Sequence, residues 1–242
     1  MTREEWIAKC QHWKRKWPVM QPEYLDDTHG LNIYAVLEAI HEHSAEDAVI
    51  MCDAGTAYYV VPQAYKFKYE QRLVMSQSQG DMGWALPAAI GVAKAGAKQV
   101  ICIVGDGSFM SNMQELATIR EHDLPIKIVI LNNRGYLSIK NTQSKFFNGN
   151  VYGVDSDTGV WFPDFLDLAD VFEITAVKVW GNAVMHKYMP QLFETVSPYI
   201  MEVVCLQNQN ILPSQSFKDG KQAPLHDMMP FLSDEEMKEE ML

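Results

Sequence analysis

Two short polar segments carry the residue types from which a cation and phosphate site is built. They are Gly105-Asp106-Gly107 and Asn132-Asn133, and each directly follows an apolar run. Glycines beside a carboxylate let backbone N–H groups approach a phosphate closely, and a helix that begins there adds a favourable dipole. Asp106 and Asn133 both offer oxygen, which Mg²⁺ and Ca²⁺ prefer to thiolate or imidazole.

The two segments are expected to meet at one edge of a sheet. A right-handed crossover between parallel strands places their carboxyl ends on the same edge, so the oxygens of Asp106 and Asn133 should converge. Alone, each segment is weak, because Gly-Asp-Gly is common in turns and asparagine often ends a strand. In the order strand, GDG, helix, strand, NN, they predict a divalent cation held between the protein and a diphosphate.

The elements that must position these residues alternate between apolar strands and amphipathic helices. Strands are predicted at 48–52, 72–76, 99–104, 126–131, 175–179 and 199–205. Helices are predicted at 32–44, 83–96, 112–122, 163–171 and 184–196. Continuous apolar strands separated by helices are typical of a parallel sheet covered on both faces, so we predict a doubly wound α/β fold.

Composition limits the class of protein. The chain has 242 residues, 48% of them apolar, with 20 Lys and Arg against 31 Asp and Glu, a net charge of −11. Such a chain can bury a large core, which excludes disorder, and its acidity argues against sequence-independent nucleic-acid binding. There is no apolar run of bilayer length, and charges run through the first twenty residues, so we expect a cytoplasmic protein without a membrane segment.

Cysteine spacing and the two ends complete this prediction. No CxxC or CxxH pair occurs, so the four cysteines are expected to be reduced thiols in apolar surroundings rather than zinc ligands. Residues 1–20 form a basic, Trp-rich helical stretch that stops at Pro18. We predict a core domain over 21–206 and a tail over 207–242 that extends over the domain or a partner.

The stretch GDGSFMSNMQELATIREHDLPIKIVILNN resembles acetolactate synthase almost position by position, and with it the thiamine diphosphate enzymes that include 2-oxoacid decarboxylases. The resemblance covers most of residues 20–235 and implies the thiamine diphosphate-binding fold, with thiamine diphosphate and Mg²⁺ as cofactors. It implies that Asp106, Asn133 and the main-chain carbonyl of Gly135 hold the ion. The segment that begins at Gly105 would contact the diphosphate, with Gly107 and Ser108 as donors.

Two further stretches extend the resemblance. SQGDMGWALPAAIGVAKA, residues 78–95, is similar to the segment that holds the aminopyrimidine of the cofactor. It implies that the Gly80 carbonyl receives the 4′-amino group and that Met82 bends the cofactor into a V shape, which makes both residues catalytic in this family. CDAGTAYY, residues 52–59, resembles the loop in which Gly55 and Thr56 approach the diphosphate.

The implied activity is 2-oxoacid carboligation, in which the fragment left after loss of CO₂ attacks a second carbonyl. A 2-oxoacid decarboxylase subunit and a non-catalytic cofactor-binding subunit remain as alternatives. A helix over residues 1–20 precedes the matching residues and resembles the connector from a middle domain of the family. No stretch resembles the pyrimidine-binding domain, so we expect a homo- or hetero-oligomer in which a partner supplies that domain. Thr142 stands where acetolactate synthases carry Trp, so the substrate cannot be transferred from the family.

Overall fold

The computed structural model describes residues 1–218 and 221–241 and divides into two compact units, Met1–Asn208 and a smaller one from Gln209 onward. The larger unit is built on six parallel strands. They are β1 (Val49–Cys52), β2 (Arg72–Met75), β3 (Val100–Gly105), β4 (Ile126–Asn132), β5 (Thr175–Val179) and β6 (Tyr199–Val204). Their order across the sheet is β2-β1-β3-β4-β6-β5, and this confirms the predicted fold class.

Helices connect and cover these strands. They are α1 (Arg3–Lys16), α2 (Ile33–His43), α3 (Thr56–Ala64), α4 (Ala85–Lys94), α5 (Asp106–Ser111), α6 (Leu116–Glu121), α7 (Leu137–Phe146), α8 (Phe165–Val171), α9 (Asn182–Glu194) and α10 (Asp234–Met241). Short 3₁₀ turns lie at Pro22–Leu25, Met113–Glu115 and Ser156–Thr158. The smaller unit also contains a two-stranded antiparallel ribbon, β7 (Phe217–Lys218) and β8 (Lys221–Gln222).

Strand β3 shows that both faces of the sheet are covered. Val100, Cys102 and Val104 belong to a core cluster shared with α4, α5, α6 and α8. Ile101 and Ile103 alternate with them, point to the opposite face and are equally inaccessible. A strand that is buried on both faces has no polar side, which is why its sequence is a continuous apolar run.

The six predicted strands all occur, with bounds that differ by at most one residue, and five helical regions lie where they were expected. The region 112–122 is corrected in detail. The helix after β3 begins at Asp106 itself, and Gln114 and Glu115 lie in a 3₁₀ turn between α5 and α6. Helices α3, α5 and α7 were not predicted; none begins with a side-chain cap, and α5 has only six residues.

The described helices include none with the length and apolarity that a membrane span requires. Three of the four cysteines, Cys52, Cys102 and Cys205, are buried as predicted. Each lies in or beside a strand.

One buried charge lies at the amino end of β4, opposite the site predicted at its carboxyl end. Lys127 is 1% exposed, and its Nζ donates to the backbone carbonyl of Ser197. Burial disfavours the charged ammonium and lowers the pKa of Lys127 to about 8, although nearby Asp123 opposes the shift.

This burial predicts a pH-dependent stability. Between about pH 8 and pH 10 the unfolded lysine keeps a proton that the native lysine has lost, so stability should rise with pH. Relative to Lys127→Met, the free energy of unfolding of the wild type should increase by about 2 kcal/mol from pH 7 to pH 9.5. Urea unfolding at several pH values measures this difference. Lys98→Met, a change at an exposed lysine, serves as the control, and a wild type that runs parallel to Lys127→Met would contradict the prediction.

Candidate functional site

The carboxyl edge of the sheet forms a cleft where neighbouring strands β1, β3 and β4 end. Nine of the ten sequence-predicted site residues line it: Gly55, Thr56, Met82, Gly105, Asp106, Gly107, Ser108, Asn133 and Gly135. The tenth, Gly80, lies in the turn just before Met82. The register pairs Gly105 with Leu131, so Asp106 and Asn133 follow adjacent strand ends, as the crossover argument predicted.

Asp106 lies at the centre of the cleft and is 1% exposed. Its Oδ1 accepts the Gly107 N–H at 2.7 Å, and its Oδ2 accepts the Gly135 N–H at 3.0 Å. Burial raises the pKa of Asp106 to about 6, while these bonds and the N–H groups of Arg134 and Asn133 favour the charged form. In the described part of the chain no cation forms an ion pair with it. A bound cation would therefore offset an unfavourable buried charge.

Asn133 presents a second oxygen to the cleft. Its Oδ1 is buried and has no hydrogen-bond partner among the described residues. An unpaired buried amide oxygen is costly unless a ligand completes it. With the Asp106 carboxylate and the Gly135 carbonyl, it would form a set of hard oxygen ligands of the kind Mg²⁺ prefers.

This donor set is incomplete without a further ligand. The described residues contain no group of three or more His, Cys, Asp and Glu that could hold a metal ion by themselves. The remaining positions around an ion would come from water or from phosphate oxygens, as is usual for Mg²⁺. The residues present therefore fit a Mg²⁺–diphosphate pair better than a bare metal site.

A buried glutamate that the sequence analysis missed shapes the turn after β4. Asn132 donates from Nδ2 to Glu202 Oε1 at 2.7 Å and accepts the Arg134 N–H at Oδ1 at 3.0 Å. Glu202 is fully buried on β6 and also pairs with Lys178 at 3.0 Å. Its signal in the sequence is a single charge inside the apolar run of β6. Asn132 therefore orders the turn that carries Asn133, rather than serving as a ligand.

Two glycines are required by close approach. A Cβ on Gly135 would lie 2.2 Å from the backbone oxygen of Val154, and one on Gly107 would lie 2.1 Å from the ring of Tyr136. Tyr136 in turn packs edge-to-face on Phe162, with ring centroids 5.8 Å apart. The segments that carry Asp106 and Gly135 therefore touch through atoms that leave no room for a side chain.

The loops before α3 and α4 also line the cleft. Gly55 precedes α3 with φ +68°, and this helix begins without a side-chain cap, which leaves its first N–H groups suited to an anion. Met82 is 41% exposed and lines the cleft. Gly80 also has a positive φ, and its N–H donates to the Ser76 carbonyl at 2.7 Å. Met82 therefore contributes to the lining of the cleft from the loop that leads into α4.

The predicted departure at Thr142 lies outside this lining. Thr142 is an exposed residue of α7, and its Oγ1 donates to the Ser138 carbonyl at 3.0 Å. Ile139, one turn earlier on the same helix, does line the cleft and is 46% exposed. Ile139, which was not singled out from the sequence, therefore contributes an apolar side chain to the cleft, and Thr142 does not line it.

Comparison with known proteins agrees with this geometry. Residues 53–203 match the family model described as thiamine pyrophosphate enzyme, C-terminal TPP binding domain. Acetolactate synthase 2 of Zea mays, a chloroplastic protein, is 29% identical over 88% of this chain and 34% of its own length. The acetolactate synthase large subunit of Porphyra purpurea is 31% identical over 86% of this chain and 34% of its own. The chain thus spans about a third of the length of these relatives.

The close approach at Gly135 predicts a position-specific loss of stability. Gly135→Ala must displace the Val154 backbone, and overpacking of this kind costs about 1–3 kcal/mol. Gly91→Ala is the matched control, since Gly91 is an exposed residue of α4 and a Cβ added there would meet no atom within 4 Å. The control should stabilise the protein by up to about 1 kcal/mol. Urea unfolding compares them, and equal effects of the two changes would refute the steric argument.

Proposed function

Because the chain belongs to the thiamine pyrophosphate enzyme family, we propose that it is the diphosphate- and Mg²⁺-binding part of a 2-oxoacid carboligase resembling acetolactate synthase. The observation that carries the proposal is the meeting of the Asp106 carboxylate and the unpaired Asn133 oxygen in one cleft. The relatives named above are acetolactate synthases, which favours this chemistry over other reactions of the family.

The residues divide into two groups by role. Asp106, Asn133 and the Gly135 carbonyl hold the ion, since these residues line the same cleft and each supplies a hard oxygen. Gly105, Gly107 and Ser108 contact the diphosphate from one side, and Gly55 and Thr56, at the uncapped start of α3, contact it from the other. A negative diphosphate beside an acidic aspartate is tolerable only with the cation between them.

The reaction follows from what these residues position. When bound, thiamine diphosphate would supply a thiazolium carbon that can serve as nucleophile toward a 2-oxoacid and as electron acceptor in decarboxylation. The Gly80 carbonyl would accept a hydrogen bond from the 4′-amino group of the cofactor, and Met82 would support the cofactor in the bent form that the family resemblance implies. Leu131, Leu137 and Ile139 make the cleft wall apolar and limit access of water to the reacting atoms.

The proposal includes a partner. The chain matches about a third of each relative, and none of its stretches resembles a pyrimidine-binding domain, so we propose that turnover needs that domain in a homo- or hetero-oligomer. Cytoplasmic location remains part of the proposal. A decarboxylase subunit and a non-catalytic cofactor-binding subunit are the competing functions, and product analysis separates all three.

Cofactor binding gives the first test. Thiamine diphosphate with Mg²⁺ should raise the melting temperature by several degrees, whereas ATP or NAD with Mg²⁺ should not, because only a ligand specific to the native state stabilises it. Asp106→Asn and Asn133→Ala should each lower the affinity for the cofactor by about tenfold or more. Asp164→Ala removes the side-chain cap of α8 and controls for general destabilisation. An equal response to ATP, or an unchanged response of Asp106→Asn, would reject the site.

Turnover gives the second test. The isolated chain with pyruvate, cofactor and Mg²⁺ should release negligible CO₂, and addition of a pyrimidine-binding domain should produce a ligated 2-hydroxy-3-oxoacid. Chromatography of the products measures both. Free acetaldehyde would identify a decarboxylase, and cofactor binding without product in the complete assembly would favour the non-catalytic subunit. Robust turnover by a verified single chain would contradict the need for a partner.

A further inference from the structure

We propose that Asp53 and Asn112 are positioning residues that clamp the backbone beside Met82, so that this wall of the cleft can hold the cofactor bent. The inference rests on the proposed function and concerns two residues outside the cofactor contacts assigned above. Neither side chain lines the cleft. Both act through the peptide groups of one residue, Gly83.

Asp53 supplies the first half of the clamp. It follows β1, is 1% exposed, and its Oδ1 accepts the Gly83 N–H at 3.0 Å and the Ala54 N–H at 2.7 Å. Its Oδ2 accepts the Ala85 N–H at 2.9 Å. One buried carboxylate therefore ties the loop that contains Gly55 to the loop that contains Met82, across 30 residues of sequence.

Asn112 supplies the second half. It directly follows α5, the helix that begins at Asp106, and its Nδ2 donates to the Gly83 carbonyl at 2.7 Å. Gly83 has φ +77°, and a Cβ there would lie 2.6 Å from Cβ of Ser111. The Met82 loop therefore packs against residues 105–112, the segment proposed above to contact the diphosphate (the diphosphate segment), and is hydrogen-bonded to it.

The position of the clamp explains its use. A methionine side chain has three rotatable bonds and adapts easily, so it can support a bent ligand only if its backbone does not move. Gly83, the next residue, has its N–H held by Asp53 and its carbonyl held by Asn112. The backbone beside Met82 is therefore anchored to the ends of β1 and α5, and it can resist displacement by a bent cofactor.

A simpler role for Asp53 is to cap α4. This helix starts at Ala85, and its N-cap residue Trp84 makes no side-chain hydrogen bond. Capping alone predicts a loss of stability when Asp53 is changed, and it predicts no selectivity between ligands. A positioning role predicts that a change at Asp53 lowers the affinity for a ligand that reaches Met82. The affinity for a ligand confined to the diphosphate segment should not change.

The experiment uses the full chain and two probes, thiamine diphosphate and inorganic pyrophosphate, each with Mg²⁺, by isothermal titration calorimetry. Asp53→Asn places an amide donor against backbone donors, so affinity for thiamine diphosphate should fall about tenfold while that for pyrophosphate stays within about twofold. Asn112→Ala removes the bond to the Gly83 carbonyl, together with an exposed bond that Gln114 Nε2 donates to Asn112 Oδ1, and should shift the same ratio by about threefold. Asp164→Ala, which removes the cap of α8, should change neither affinity.

The outcomes separate the two claims. In Asp53→Asn and Asn112→Ala, the affinities for the two ligands could fall in parallel or stay unchanged. Either result would overturn the clamp and leave the proposed diphosphate site intact. A wild type that binds neither ligand would overturn the proposed function and the clamp together. If Asp53→Asn does not fold, Asn112→Ala decides alone, because it leaves the carboxylate and its three backbone donors in place.

Discussion

A buried carboxylate without a cation partner is the constraint on which the site depends. Asp106 is ionised near neutral pH against the cost of burial, and backbone N–H groups of the turn at 133–135 partly offset that cost. They can do so only because Gly135 has no side chain and the turn passes close to Val154. Adjacent parallel strands, a tight turn and glycine at two positions are thus consequences of one requirement, to hold this charge where a cation can meet it.

A buried acidic side chain that accepts hydrogen bonds from another segment occurs three times in the carboxyl half of the sheet. Asp53 after β1, Asp106 after β3 and Glu202 within β6 are each buried, and each accepts N–H groups from a segment distant in sequence. In a parallel sheet these ends lie together, so a few acids can order several loops at once. The loops themselves then need little internal structure, and the residues they present to a ligand can be glycine, methionine or asparagine.

Most of the scaffold follows from local pattern. Buried strands read as apolar runs, and the pair of segments at Asp106 and Asn133 could be placed together from handedness alone. The clamp at Asp53 and the support from Glu202 could not, because their partners lie 30 and 70 residues away and leave no periodic signal. Helix α7 was missed for a related reason. Leu137 is its buried residue, so the segment lacks the apolar periodicity that marks a helix in a sequence.

The support that Glu202 gives to Asn132 has a consequence for the order in which the molecule is made. A chain emerging from the ribosome would complete β3 and β4 well before β6, since translation proceeds from the amino terminus. Until the last strand docks between β4 and β5, the turn beyond Asn132 lacks its acidic anchor. The ability to bind a ligand should therefore appear late, after most of the sheet has assembled. Ligand binding would then indicate that the nascent domain has completed its fold.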